Sequence, residues 1–222
     1  MTVVLVILTM AIFILIDYVQ SRKKVPLTEP KPMSARPVFK PQPEHMAGFR
    51  VPGAMRYHPG HTWALRESPT LVRVGIDELA AQMIGKAESV SLPKRGQWIR
   101  QGQKIFTLFR DGGKTELVSP IEGEVTSINE AVVRAPGLIN SDPYGNGWLL
   151  TVISPDAETN FRNLLGGVPA QHWMAEEKSR LSAKTPALVA VAAQHDGKET
   201  INVSIPASDQ SWTELTREFF LM

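Results

Sequence analysis

The stretch that decides the fold runs from Ser119 to Leu149 and reads SPIEGEVTSINEAVVRAPGLINSDPYGNGWL. Its prolines and glycines recur at short intervals and are typical of tight turns, while Tyr144 and Trp148 are large enough to fill a small core. Short runs rich in strand-forming residues lie before, beside and after it, and glycine-bearing turns separate them. These runs cover residues 71–76, 89–92, 104–109, 115–118 and 149–153. The pattern predicts a compact, mainly β domain.

Glycines also mark the turns around the central pair of strands. Gly96 and Gly102 precede the run 104–109, and the segment Asp111-Gly112-Gly113 separates that run from 115–118. An Asp-Gly pair between two strand-forming runs is a strong signal for a tight β-hairpin. We therefore predict a hairpin whose tip lies at residues 111–113.

A set of motifs spread over residues 57–181 carries a family resemblance. They are Tyr57, His61 and Trp63; Val74-Gly75-Ile76, followed by a helix-forming stretch (77–84) and Gly85; Ser119-Pro120, Gly123-Glu124-Val125, Asn129-Glu130, Pro136 and Asn140; and Asp142-Pro143-Tyr144-Gly145 with Gly147-Trp148-Leu149. The region resembles the H protein of the glycine cleavage system, a lipoyl-carrying family related to the biotinyl/lipoyl domains. The resemblance implies a barrel-sandwich hybrid with flanking helices, the C-terminal ones near 161–165 and 169–181.

In the H-protein family one lysine at the hairpin tip carries lipoate as an amide. Counting forward from Pro93 and backward from Pro120, we place the position of that lysine at Gly112, and the family's glutamate three residues earlier at Phe109. The nearest lysine is Lys114, which lies two residues, or about 6 to 7 Å, further along the strand. The expectation is therefore that the lipoyl site is lost and no cofactor is bound. Lys114 is the one candidate for lipoylation.

The N-terminal segment is apolar. Residues 2–16 carry no charge, and the apolar stretch reaches about 19 residues through Val19, close to the length that spans a bilayer. Basic residues follow the segment rather than precede it, which argues against a cleaved signal peptide. Between Arg22 and Arg56 there are eight basic and two acidic residues. The positive-inside rule then predicts a single-pass protein of the cytoplasmic membrane, with its N-terminus outside and its soluble domain in the cytoplasm.

These patterns divide the chain into four parts. We predict a transmembrane anchor (1–21), a basic, proline-rich linker (22–56), an H-protein-like barrel-sandwich domain with C-terminal helices (57–184) and an extension (185–222). The linker contains seven prolines between residues 25 and 52, which exclude a helix or central strand. Its interleaved apolar residues leave two interpretations open, a spacer or a strap that docks on its own domain or on a partner.

The extension is predicted to form a β-hairpin and a helix. Residues 188–193 and 200–205 flank a turn at residues 195–198, and Ser211 and Glu214 have the spacing of a capping box. Four apolar side chains lie on one side of the following helix (212–221): Trp212, Leu215, Phe219 and Phe220. Such a helix either folds back on the barrel or docks on another subunit.

Composition excludes several classes of function. The chain has no cysteine, so it can form no disulfide, zinc ribbon or iron–sulfur cluster. Its formal charge of +2, with 24 basic and 22 acidic residues, does not favour nucleic-acid binding. His58 and His61 flank Pro59-Gly60, which prevents them from forming a helical metal-ligand pair. No nucleophile or phosphate-binding motif is present, so we predict no catalytic residue, no metal, no small-molecule substrate and no enzymatic activity.

The sequence therefore predicts a non-catalytic, membrane-anchored scaffold or accessory subunit of a membrane-associated complex. Its partners would be the membrane and the other protein subunits of that complex. Two alternatives remain. The first is a membrane-tethered carrier with lipoate on Lys114, which would shuttle groups between enzymes. The second is a regulator without lipoate that docks on glycine-cleavage enzymes.

Overall fold

The computed structural model describes residues 15, 45–46, 48–184, 189–195, 198–203 and 210–221 of the 222-residue chain. Strands predominate in the part it describes. They are β1 (His45–Met46), β2 (Phe49–Arg50), β3 (Arg56–His58), β4 (Thr62–Arg66), β5 (Leu71–Ile76), β6 (Ser89–Ser91), β7 (Trp98–Ile99), β8 (Lys104–Arg110), β9 (Gly113–Val118), β10 (Gly123–Ile128), β11 (Leu150–Ile153), β12 (Val189–His195) and β13 (Lys198–Val203). The prediction of a mainly β fold is confirmed.

The strands form two principal antiparallel sheets. The larger has six strands in the order β3-β4-β5-β11-β10-β7, and the smaller has three in the order β6-β8-β9. Strands β1 with β2, and β12 with β13, form separate two-stranded pairs. Alternate residues of both main sheets, such as Val72 and Val74 from β5 and Phe106 and Leu108 from β8, point into one buried core. The predicted hairpin of residues 104–118 is formed by β8 and β9, the central strand and one edge strand of the smaller sheet.

Helices flank the sheets. The first, α1 (Glu78–Ile84), begins where Asp77 Oδ1 accepts a hydrogen bond from the Ala80 backbone N–H at 2.8 Å, and it ends at Gly85, which has a positive φ of 68°. The other helices are α2 (Glu130–Arg134), α3 (Leu138–Ser141), α4 (Ala157–Arg162), α5 (Gly167–Lys184) and α6 (Gln210–Phe219).

Two helix predictions need correction. The helix expected at 161–165 is α4, which ends at Arg162 because Leu165 leaves the helix and pairs with Tyr57 through two backbone hydrogen bonds of 2.8 Å. Helix α6 already includes Gln210, so Ser211 lies inside the helix and not at its N-cap. The capping box predicted from Ser211 and Glu214 is therefore wrong.

The core is packed most closely where Trp63 meets Gly75. The Trp63 indole N–H donates to the carbonyl oxygens of Ile76 at 2.8 Å and Pro143 at 3.2 Å, which fixes the ring against strand β5. A Cβ at Gly75 would lie 2.5 Å from Trp63 Cζ2, so a side chain there has no room. Glycine at position 75 is required by this close approach and not by its backbone angles.

Residues 48–56, which belong to the predicted linker, pack against the domain. Phe49 is buried, and the Arg50 backbone N–H donates to Glu78 Oε2 at 2.6 Å. The hydroxyl of Tyr144 donates to the Arg50 carbonyl oxygen at 2.8 Å. These contacts attach the C-terminal end of the linker to helix α1 and to the barrel.

The predicted anchor (1–21) lies outside the described residues except for Leu15, as does most of the linker. Within the part of the chain that the structure describes, none of the helices has the length and apolar character needed to cross a bilayer.

We expect Gly75→Ala to lower the free energy of unfolding by about 1 to 3 kcal/mol, because the added methyl overpacks the Trp63 ring. Denaturant unfolding measures this loss. Gly53→Ala is the matched control, since its Cβ would meet nothing within 4 Å. Equal stabilities of the two variants would contradict the packing described here.

Candidate functional site

The tip of the β8–β9 hairpin is a two-residue turn. Arg110 and Gly113 are the last paired residues, which leaves Asp111 and Gly112 as the turn, with φ values of 48° and 73°. Two successive positive φ values are typical of a type I′ turn, for which Asp-Gly is a preferred sequence. Both residues are exposed, and a Cβ at Gly112 would meet nothing within 4 Å. The apex therefore points into open solvent.

The outer face of the hairpin carries Lys114 and Phe109, which lie directly opposite each other on the paired strands. The Lys114 side chain is 62% exposed, and its Nζ lies 3.5 Å from Glu116 Oε1. Phe109 is 39% exposed. Lys114 is thus accessible, but it lies on the flat face of the sheet and not at the apex.

The inner face of the same hairpin is covered by helix α6. The Trp212 indole N–H donates to Thr115 Oγ1 at 3.1 Å, and both residues are buried. The Arg110 guanidinium lies 4.7 Å from the Trp212 ring centre and donates a hydrogen bond to the Ile84 carbonyl oxygen. A cation–π contact and two hydrogen bonds therefore join Arg110 and Thr115, which lie next to the tip, to α6 and to the end of α1.

Helix α6 buries the side that the sequence marks as apolar. Trp212, Leu215 and Phe219 on this side, and Phe220 just after the helix, are all buried at helical spacing. Helix α6 thus packs on the barrel, one of the two arrangements left open by the sequence.

Beneath α6 lies a fully buried pair, His61 and Asp77. His61 Nδ1 and Asp77 Oδ2 are 2.8 Å apart, and His61 adopts a positive φ of 59°. Its ring lies 4.8 Å from Trp173 on α5, 6.3 Å from Phe219 and 5.9 Å from Phe220, measured between centroids. His61 Nε2 has no hydrogen-bond partner among the described residues. Aromatic side chains from α5 and the C-terminal segment thus enclose the imidazole.

Ion pairs join the two C-terminal helices. Glu218 of α6 accepts hydrogen bonds from Lys184 and, at 3.0 Å, from Arg180 Nη2 of α5. The hydrogen bond from Lys184, followed by the one from Arg180, holds the pKa of Glu218 below its ordinary value. Arg180 also lies 5.2 Å from the centre of the Phe219 ring. Helix α6 is therefore attached both to the barrel and to α5.

His58 and His61 both use Nδ1 in contacts within the protein. His58 Nδ1 accepts a hydrogen bond from the Gly60 backbone N–H at 3.0 Å, and His61 Nδ1 is engaged by Asp77. Within the described ranges, no group of three or more histidine, aspartate or glutamate side chains is placed to hold a metal ion.

The structure brings Gly112, Lys114 and Phe109 together at one end of the hairpin.

Sequence reasoning missed two contacts of this site, Trp212 with Thr115 and His61 with Asp77. Asp77 immediately precedes a helix and is suited to an N-cap, but that signal predicts its bond to the Ala80 N–H and not its contact with His61. No local pattern signals the first, since Thr115 and Trp212 are separated by 97 positions.

We expect Trp212→Ala to lower the free energy of unfolding by about 3 to 5 kcal/mol, since it removes a large buried ring and leaves Thr115 without its partner. Hydrogen exchange in strands β8 and β9 should accelerate as well. Glu214→Ala, on the exposed side of the same helix, is the control and should change neither quantity. If exchange in the hairpin were the same in both variants, α6 would not stabilise it.

A second prediction concerns pH. Burial, followed by the proximity of His61, lowers the pKa of the His58 imidazole. Since the unfolded value is about 6.5, protonation favours the unfolded chain. Stability from His58 is then fully present above about pH 6.5 and declines as the pH falls toward the folded pKa. His58→Gln does not titrate, so unfolding titrations at about pH 7.5 and 5.5 should show a smaller loss for the variant than for the unaltered chain. Equal losses would refute this role for His58.

Comparison with known proteins agrees with the fold and motifs. The family model described as "Glycine cleavage H-protein" matches residues 55–177. A glycine cleavage system H protein of Legionella pneumophila (strain Corby) is 34% identical over 123 residues, 55% of this chain and 97% of that protein. One of Anaeromyxobacter sp. (strain K) is 35% identical over 130 residues, 59% of this chain and 100% of that protein. Helix α6 lies beyond the residues that the family model matches.

Among solved structures, the crystal structure of a glycine cleavage system H protein from Mycobacterium marinum is 27% identical to this chain. It aligns with a TM-score of 0.48, over 58% of this chain and 99% of that one. The family match itself covers more than half of the chain, and the Legionella and Anaeromyxobacter proteins are matched over nearly their whole length. The chain belongs to the glycine cleavage H-protein family.

Proposed function

We propose that this chain is a membrane-anchored, non-catalytic accessory subunit that uses the H-protein fold as a contact surface and carries no lipoyl group. The observation that carries the proposal is the exposed glycine, Gly112, at the apex of the hairpin. The sequence motifs align the family's lipoyl-bearing lysine with this position.

The shape of the tip supports the absence of a lipoyl group. Two consecutive positive φ values, at Asp111 and Gly112, form a tight turn that suits Asp, Asn and Gly and disfavours lysine. Phe109 places an apolar ring at the position where the family has a glutamate. This changes the surface that a lipoylating enzyme recognises. Both changes act against recognition of the tip.

Lys114 is a poor substitute for a tip lysine. It pairs across the hairpin with Phe109, and its Nζ lies 3.5 Å from Glu116, which is two residues further from the apex along the strand. A ligase that recognises the apex of a hairpin would meet Asp111 and Gly112 instead. This geometry weighs against the tethered-carrier alternative.

The C-terminal extension supports a fixed contact surface rather than a swinging arm. Through Trp212, helix α6 anchors the inner face of the hairpin, and through Glu218 it is joined to α5. These contacts reduce the freedom of the hairpin and leave Phe109 as an exposed apolar ring on its outer face. A rigid surface with an exposed aromatic side chain suits protein recognition.

Attachment to the membrane rests on the sequence. The uncharged segment 2–16, followed by Arg22, Lys23 and Lys24, supports a single-pass anchor with the domain on the cytoplasmic side. The proline-rich residues after the anchor would allow the domain to reach soluble subunits at some distance from the bilayer. We therefore infer that the partners are subunits of a membrane-associated complex.

Lipoylation in vitro tests the central part of this proposal. The full-length chain in detergent is incubated with lipoate, ATP and a lipoate–protein ligase, and its intact mass is measured. We expect no gain of a lipoyl group. The variant Phe109→Glu/Gly112→Lys restores both family residues. Lysine at position 112 has room but takes on the strain of a positive φ, so its free energy of unfolding should fall slightly, and its exposed side chain should still accept lipoate, which shows that the ligase and the fold are competent.

Lys114→Arg is the second control. If the unaltered chain gained one lipoyl group and Lys114→Arg did not, the protein would be a lipoyl carrier and the proposal would be wrong.

A further inference from the structure

At the opposite end of the β8–β9 hairpin from its tip, residues 94–104 form an exposed basic segment with the sequence KRGQWIRQGQK. It contains four cationic residues, Lys94, Arg95, Arg100 and Lys104, and no acidic one. All four are exposed. Because this segment consists of two turns on either side of the short strand β7, we call it the basic double turn.

The two turns are built alike. In the first, the Gln97 N–H donates to the Lys94 carbonyl oxygen at 3.1 Å, and Gln97 Oε1 accepts from the Lys94 N–H at 3.1 Å. In the second, Gln103 makes the same two bonds with Arg100, at 3.0 and 2.9 Å. Each turn is thus closed by a glutamine and begins with an exposed cation, so the backbone that presents the charges is fixed.

Between the turns lies Trp98, on the edge strand of the six-stranded sheet. All five tryptophans of the chain are within the described residues, and Trp98 is more exposed than the other four, at 51%. An open groove of about 640 Å³ lies beside it, lined by Trp98, Arg100, Gln101, Gly102 and Gln103. A large apolar ring is therefore presented among cations.

The charge of the double turn is only partly balanced. Lys104 Nζ lies 3.7 Å from Glu116, and exposed Glu124 is paired across the sheet with Trp98. Arg95 Nε donates to the Thr126 carbonyl oxygen, a neutral group, at 3.0 Å. Among the residues that the structure describes, neither Lys94 nor Arg100 forms an ion pair. The surface retains an excess of positive charge.

We propose that the basic double turn binds the anionic lipid headgroups of the membrane, an inference that rests on the membrane attachment proposed above. Each lysine or arginine near an anionic bilayer surface contributes to binding. Tryptophan favours the headgroup region because its apolar ring can contact the acyl chains while its N–H remains hydrated. Tethering favours this occupant over an acidic protein, because it keeps the domain at high effective concentration next to the bilayer.

This assignment leaves the other end of the hairpin free. Strand β8 runs from Lys104 to Arg110, which places the double turn about 20 Å from the tip. With the double turn on the bilayer, the apex at Asp111 and Gly112 is directed away from the contact. One end of the domain then faces the lipid and the other is available to protein subunits.

Quenching of Trp98 fluorescence tests the proposal. The full-length chain is inserted into nanodiscs of phosphatidylcholine, or of an equal mixture with phosphatidylglycerol, each containing phosphatidylcholine brominated near the headgroup. We expect quenching in the anionic nanodiscs, weaker quenching in the neutral ones, and loss of the difference in Trp98→Phe. The ratio of docked to undocked protein should fall about five-fold for each cation neutralised in Lys94→Gln/Arg100→Gln, and fall also at high salt.

The matched control is Lys86→Gln/Lys114→Gln, which removes two exposed charges near the tip and should leave quenching unchanged. Absence of lipid-dependent quenching in correctly inserted protein would overturn the proposal, as would an equal loss in both double variants. So would chemical cross-linking of the double turn to an acidic protein, and not to lipid, in native membranes.

Failure of the chain to insert would count against the proposed anchor and not against the double turn. The same chain, mixed with vesicles of the two compositions, would then report Trp98 quenching directly. Quenching by the anionic vesicles would support the proposal, and its absence would refute it.

Discussion

The hydrogen bond between His61 Nδ1 and Asp77 Oδ2 is the interaction on which most of the arrangement depends. It is fully buried and joins the β3–β4 turn to the N-cap of helix α1. The same imidazole is the surface against which Trp173 of α5 and Phe219 and Phe220 of the C-terminal segment pack. One side chain thus connects the barrel, its first helix and the extension. Removal of either partner would leave a buried polar group without compensation.

From this centre the extension reaches the hairpin. Phe219 and Phe220 lie beside His61, and the preceding turns of α6 place Trp212 against Thr115 and Arg110, close to the tip of the hairpin. The family match ends at residue 177, so this covering helix adds to the part of the chain that matches H proteins. Helix α6 covers the inner face of the hairpin, where Trp212 and Thr115 are hydrogen-bonded and buried.

Sequence reasoning could predict features that local chemistry dictates. The run 71–76 was predicted as a strand and is β5. The tip at 111–113 was predicted from Asp111-Gly112, because a two-residue hairpin turn prefers Asp and Gly. The motif around Trp63 and Gly75 indicated a fold, but only coordinates show the 2.5 Å approach that makes the glycine necessary. The apolar side of α6 showed that the helix needs a surface, but an amphipathic pattern does not specify which surface.

The same limit applies to the site. Gly112 could be placed at the tip by counting along the chain, whereas the left-handed backbone of His61 and its enclosure by three aromatic rings depend on contacts distant in sequence. Trp98 lies in a polar stretch without a motif that indicates exposure. Only the structure shows that its strand, β7, is at the edge of the sheet and that the ring is exposed. The predicted anchor lies outside the described residues, apart from Leu15, and stays a prediction.

The central claim is that the chain acts in its native membrane as an unmodified subunit of a protein complex. The most direct test is to isolate the full-length protein from its native membrane in mild detergent and to determine, in one preparation, its intact mass and the identity of the proteins bound to it. The account predicts a mass equal to that of the unmodified chain and stable association with membrane subunits. A lipoyl group on Lys114, together with soluble glycine-cleavage enzymes as the bound partners, would contradict it.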